Sequence, residues 1–200
     1  MRCKSGEYAV SIVDVTTPVV FVRADSVGLS GTEHPEDLSL TQLQLLEDIR
    51  GEGAKRLGFV SSAEEASSQT PASPKLIIVS PPTTYTTTIG REVQASEVSF
   101  VSRAMSMQKM HRAFPVTGGL CTAVAARIDG TVVYECNATQ QGNTITIAHP
   151  SGRMDFVAKI REEPGGEPVI EQAAVARTAR RLMEGYAYTP SSLFWSNHTG

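Results

Sequence analysis

The stretch SMQKMHRAFPVTGGLCTAVAAR, residues 106–127, puts a polar loop carrying Lys109, His111 and Arg112 ahead of two glycines and a run of small apolar residues. The spacing predicts a short helix over 120–127, led in by Thr117, Gly118 and Gly119. With Ala123, Val124, Ala125 and Ala126 on its surface, neighbouring backbones can close in from several sides, which suits a central, enclosed position. The start of such a helix offers free backbone N–H groups and the positive end of the helix dipole, an anion site. Glycines there let a carboxylate or phosphate come close to the backbone. His111 and Arg112, just upstream, can add charge-assisted hydrogen bonds to a second carboxylate. A Gly-rich turn that simply caps a buried helix fits the same spacing. Cys121, in the first turn of the predicted helix, also has two readings: a dipole-favoured thiolate able to move a proton, or a small buried hydrophobe.

The rest of the chain supplies strands and one longer helix. Ser39 and Gln42 form a capping box for a helix with Leu40, Leu43, Leu46 and Ile49 on its buried face. Gly51 and Gly53 predict a break in it, and Gly58 its stop. Two valine-rich runs, 8–13 and 19–22, read as buried strands parted by a bend that Pro18 enforces. Residues 61–74, rich in Ser, Ala, Glu and Pro, read as a mobile connection to a strand over 75–79. Ser96 reads as the cap of a helix carrying Val98, Val101 and Met105. Strands are expected over 131–136, 144–148, 154–160 and 169–176, with turns at Asp129-Gly130 and His149-Pro150-Ser151-Gly152. Met105, Met107 and Met110 read as gap fillers, Arg177, Arg180 and Arg181 as a solvated basic helix face, and 189–200 as a frayed tail. Strands and helices interleave with several hairpin signals, so the fold class is α+β with a mixed, mostly antiparallel sheet, a single domain over 1–188.

Composition narrows the function by exclusion. The 200 residues are 40% hydrophobic and 20% charged, enough for a true core, and the net charge of −3 argues against a nucleic-acid binder. Neither a signal-peptide core nor a membrane-length apolar run occurs, and the three cysteines are an odd count, so a reducing, cytoplasmic compartment is expected. The sequons at Asn137 and Asn197 read as chance matches. Four histidines and three cysteines lack metal-ligand spacing. No P-loop, nucleophile elbow or dinucleotide fingerprint is present, so neither a metal nor another cofactor is expected.

Several blocks carry a family likeness: Val13-Asp14 with Pro18-Val19-Val20-Phe21-Val22; Met105-Ser106-Met107 followed by the run from Lys109 to Gly118; His149-Pro150-Ser151-Gly152; and the closing run from Arg177 to Tyr186. Over about 13–188 the chain resembles the C-terminal half of the PrpF family. The resemblance implies a diaminopimelate-epimerase-like fold, with a sheet wrapped around a central helix. It also implies cofactor-independent proton transfer that isomerises small unsaturated tricarboxylates such as methylaconitate or aconitate. Such chemistry needs a positioned base and donors for several carboxylates.

The substrate-binding set expected on these positions is Thr17, Ser106, Lys109, His111, Arg112, Thr117, Gly118, Gly119, His149 and Ser151, with Cys121 the sole catalytic candidate. Where the family has Asn before the proline, this chain has Thr17, a shorter hydroxyl. The family's favoured base is a lysine in its N-terminal domain, which nothing here matches. None of Lys4, Lys55, Lys75, Lys109 or Lys159 is therefore given that role. The expected partners are a polycarboxylate and an N-terminal PrpF-type domain, in cis or in trans, and an open interface would also favour self-association. Two other readings stand beside this one: a truncated or split product that at most binds a polycarboxylate, and a thiol-dependent racemase using Cys121.

Overall fold

A computed structural model describes residues 1–139, 141–161, 163, 166, 168–177 and 179–190. In chain order the elements are β1 (Arg2–Cys3), β2 (Gly6–Glu7), β3 (Val10–Asp14), β4 (Pro18–Arg23), α1 (Leu40–Arg56), α2 (Ala66–Gln69), β5 (Lys75–Ser80), β6 (Tyr85–Thr86), β7 (Glu92–Val93), β8 (Phe100–Ser106), β9 (Lys109–Met110), α3 (Val116–Ala125), α4 (Val132–Cys136), β10 (Thr144–His149), β11 (Gly152–Arg161) and β12 (Val169–Val175). The main sheet runs β12-β11-β10-β8-β5-β4-β3, with β9 added on β8. Among the described residues, only β4/β5 and β8/β10 pair in parallel. The expected mixed, mostly antiparallel sheet is what forms.

α3 touches both edge strands, β3 and β12, as well as β4, β10 and β11, so the sheet curls around it. Phe21, Ile77, Val79, Phe100, Ile145, Ile147 and Phe156 form the inner wall against Cys121, Ala123, Val124 and Ala125. α1 covers the outer face, where Leu46 and Ile49 meet Val20, Val22, Leu76 and Ile78. β4 and β5 are thus buried on both faces, which is why they read as unbroken Val/Ile runs rather than alternating ones. Small residues on α3 are a packing requirement. A Cβ at Gly119 would sit 2.1 Å from Cζ of the fully buried Phe156.

The capping box at Ser39 and Gln42 forms as expected, with α1 ending just before Leu57. The break expected at Gly51 and Gly53 does not occur. These glycines are points of close approach: a Cβ at Gly53 would meet Val20 Cγ2 at 2.4 Å, and one at Gly51 the Ala63 carbonyl oxygen at 2.5 Å. Leu40, expected on the buried face, is exposed. Residues 61–74 are tied down, because the buried Arg50 bonds Glu47 on one side and donates to the Thr70 carbonyl on the other.

Four further sequence-based expectations are overturned. The helix expected from Ser96 is a single 3-10 turn, Ala95–Glu97, followed by β8. Val98, Val101 and Met105 fit helical spacing, but the segment from Phe100 is a buried strand hydrogen-bonded between β5 and β10. The strand expected over 131–136 is α4, because the Thr131 hydroxyl accepts from Tyr134 N–H and starts a helix that packs on β3, β4 and β5. Tertiary packing overrides the β propensity of its valines. The helix expected over 120–127 begins four residues earlier, so Thr117, Gly118 and Gly119 lie inside its first turn rather than ahead of it. The expected basic helix at 177–184 is also absent: its described residues form no regular structure and are exposed. The expected frayed tail, from residue 191 on, and the Asn197 sequon lie outside the described residues. Asn137 is buried and donates to the Ala126 and Thr139 carbonyls.

Candidate functional site: a basic groove at the start of α3

Pro115 precedes α3 and contributes no N–H, and no side chain caps the helix. The first intrahelical bond there is Gly119 N–H to the Pro115 carbonyl, at 2.8 Å, leaving the N–H groups of Val116, Thr117 and Gly118 free for a ligand. Beside this end runs an open groove of about 600 Å³, lined by Lys75, Ser106, Met107, Lys109, Met110, His111, Arg112 and Pro115. No Asp or Glu lines it. The side chains of Lys75, Lys109 and Arg112 have no partner among the described residues. Three unneutralised cations line the groove and three free N–H groups follow its Pro115 wall, which makes a positive site in a chain of net charge −3.

Lys75 was missed from sequence. It opens β5, is half-buried, and its Cδ lies 3.7 Å from where a Gly118 Cβ would be, so its stem crosses the first turn of α3. The available signal was alternation: Lys75 shares a strand face with Ile77 and Val79, which point at α3.

The expected residues separate into groove and support. Ser106, Lys109, His111 and Arg112 line the groove, and Thr117 and Gly118 supply N–H groups beside it. Thr16 Oγ1 donates to the Thr117 carbonyl at 2.7 Å, which brings the bend holding Thr17 beside the helix start. Gly119 is buried under Phe156. His149 and Ser151 stand behind the loop: Ser151 Oγ donates to the Arg112 carbonyl at 2.5 Å, and the His149 ring lies 6.5 Å from that of Phe114. Tyr85, also missed from sequence, clamps that turn by its hydroxyl, which lies 2.7 Å from the His149 carbonyl and 2.6 Å from that of Gly152. The Arg103 guanidinium sits 5.1 Å above the Tyr85 ring. The thiolate reading of Cys121 fails. The residue is in the second turn and fully buried, its S–H donates to the Val13 carbonyl, and burial pushes its pKa up to about 12.

Residues 1–190 match the family described as PrpF protein. The chain belongs to the PrpF family. It is 37% identical over 192 residues to the 3-methylitaconate isomerase of Eubacterium barkeri, covering 94% of this chain and 49% of that protein. It is 33% identical over 187 residues to the 2-methyl-aconitate isomerase of Shewanella oneidensis, covering 92% and 47%. A crystal structure of methylitaconate-delta-isomerase superimposes with a TM-score of 0.87 at 35% identity, covering all of this chain and 51% of the other. This PrpF chain therefore spans about half the length of the relatives it matches. The match also reaches beyond the 13–188 span carried by the motifs.

Two features around the groove make separate predictions. The turn between β8 and β9 places both Met107 (φ 50) and Gln108 (φ 57) in the left-handed region. An L side chain costs roughly 1–2 kcal/mol there, and glycine avoids this at a smaller entropic loss. Gln108→Gly is expected to raise stability by about 1 kcal/mol, read as a higher urea midpoint at unchanged slope. A lower midpoint would show that the Gln108 side-chain bond to the Ser67 carbonyl, at 3.4 Å, outweighs the strain.

Burial above all, then the charges of Arg103 and His111, pushes the His149 pKa down to about 4 from 6.5. The unfolded chain therefore binds a proton near pH 6.5 that the folded chain refuses until about pH 4. Stability from this residue is complete above pH 6.5 and is lost as pH falls toward 4. Unfolding measured from pH 7 to pH 5 is expected to show about one proton of linkage that His149→Gln removes; equal slopes would place that proton elsewhere. Among the described residues, no group of three His, Cys, Asp or Glu is placed to hold a metal, and no helix is long and apolar enough to cross a membrane.

Proposed function

We propose that this PrpF chain is the C-terminal, carboxylate-binding half of a cytoplasmic, cofactor-independent isomerase of small unsaturated tricarboxylates. The observation that carries the reading is the convergence of Lys75, Lys109 and Arg112, all unpaired, on the uncapped start of α3. The names of the relatives support an unsaturated polycarboxylate: 2-methyl-aconitate carries three carboxylates and methylitaconate two.

In this reading one carboxylate sits on the N–H groups of Val116, Thr117 and Gly118 with Lys75 beside it, and a second pairs with Arg112 and Lys109. Removing a proton from the carbon next to the double bond sends charge along the conjugated system into a carboxylate. Fixed donors at that carboxylate stabilise the developing charge without having to reorganise. Returning the proton to a different carbon, or to the same carbon after rotation about a weakened C–C bond, completes the isomerisation. The base and the proton's return come from the complementary half. In this reading Cys121 takes no part in that work, which its burial and raised pKa support.

The test fuses the N-terminal half of the Eubacterium barkeri 3-methylitaconate isomerase ahead of this chain. Deuterium incorporation from heavy water into 3-methylitaconate or 2-methylaconitate is then followed. Incorporation well above the buffer rate is expected. A folded hybrid that binds tricarboxylate yet incorporates no deuterium would favour the second reading, a chain that binds polycarboxylates without turning them over.

A further inference from the structure

We propose that Met107 is the specificity-determining residue of the groove, its side chain receiving the alkyl substituent of a branched, unsaturated polycarboxylate. The inference rests on the reading of the groove as a carboxylate site and deepens it. Once the cations hold the carboxylates, Met107 is what tells one such ligand from another.

β8 and β9 are joined by a two-residue hairpin, with Ser106 paired to Lys109 and with Met107 and Gln108 at the turn. Both turn residues have positive φ, 50° and 57°, the geometry that asparagine and glycine favour at these positions. Methionine there carries a backbone cost that asparagine would reduce. It also leaves a large apolar side chain 59% exposed. Met107, expected from sequence to fill a gap in the core, joins none of the core clusters, so packing offsets neither cost. A strained turn that holds an apolar side chain in solvent calls for a contact that the fold does not supply.

The groove is where that contact is made. Of the large apolar side chains exposed among the described residues, Met107 alone lines it. Met110 lies on the same groove, but it is buried and packs with Leu76 and Ile78 in the outer core. Pro115 is fixed at the start of α3. Met107 is therefore the adaptable apolar surface beside Lys75, Lys109 and Arg112. Its backbone N–H donates to the Pro71 carbonyl at 3.2 Å, and the Gln108 amide donates to the Ser67 carbonyl, so the turn is anchored while the thioether can still turn. An unbranched, polarisable side chain of this kind shapes itself to a methyl group or a larger branch. A cationic groove with one adaptable apolar wall fits a ligand that carries both carboxylates and an alkyl branch.

The test measures binding of cis-aconitate and 2-methyl-cis-aconitate to the full chain by calorimetry at low salt. The methyl compound is expected to bind roughly fourfold more tightly, the gain from burying one methyl group. Met107→Asn is expected to bring the two affinities together and to raise the urea midpoint, because asparagine suits the turn. Met107→Leu, which keeps a large apolar side chain, is expected to retain the preference. Discrimination lost while stability rises marks a residue kept for a ligand and not for the fold. A preference that survives Met107→Asn overturns the assignment. If the melting temperature of the fusion described above falls in that same variant, the cover of Met107 is the complementary half. Equal binding of both compounds to the unaltered chain would sink the role of Met107 alone; binding of neither would sink the carboxylate site itself.

Discussion

Replacing Lys75 with methionine is expected to weaken binding of tricarballylate, a saturated tricarboxylate, by roughly ten- to a hundredfold, measured by calorimetry at low salt. The estimate follows from a charge-assisted hydrogen bond contributing about 1.5–3 kcal/mol, at 1.4 kcal/mol per factor of ten. Methionine keeps an unbranched stem to cross the first turn of α3 near Gly118, so packing is preserved and only the charge is lost. The same change is expected to raise stability slightly, because an unpaired cation beside the positive end of a helix is unfavourable. Weaker binding with unchanged or higher stability marks a group held in place for a ligand. Unchanged affinity would remove Lys75 from the site, and a fall in stability would make its role structural.

Gly119→Ala is expected to destabilise the chain by about 3 kcal/mol, the upper range for overpacking a well-filled core. The added methyl would press on Cζ, Cε1 and Cε2 of Phe156 at 2.1, 2.6 and 2.8 Å, and that ring is held on all sides by the inner core. Pairing it with Phe156→Leu is expected to recover part of the loss, a coupling that independent sites would not show. Strictly additive costs in the double-mutant cycle would mean that α3 can shift away from β11, and the central position of the helix would be in doubt. Because the free N–H groups lie within the turn before Gly119, a shifted helix would also weaken tricarballylate binding.

What sequence reasoning could reach was local. Ser39 and Gln42 announce α1 because both halves of the capping box lie within four residues, and the small residues after Gly119 announce an enclosed helix. What it misplaced depended on partners far along the chain. Gly118 and Gly119 look like a lead-in to a helix until Phe156, 37 residues away, is seen to need the space at Gly119. That shift moves Cys121 into the second turn and into the core, which removes the chemistry a first-turn thiol would have had. Val98, Val101 and Met105 satisfy a helical period, and the pairing of β8 with β5 and β10 overrides it. Lys75 was read only as the first residue of a strand, because its neighbour at Gly118 is set by how the sheet curls. Tyr85 was hidden among threonines, yet it holds the turn whose Ser151 steadies Arg112.

The measurement that bears most directly on the groove is a titration of the isotope-labelled chain with tricarballylate, followed by amide NMR. Shifts are expected to centre on the N–H groups of Val116, Thr117 and Gly118 and on the His111–Arg112 backbone, to saturate, and to weaken in Lys75→Met. Saturable shifts centred elsewhere, or none at these amides at millimolar ligand, would contradict a carboxylate site at the start of α3.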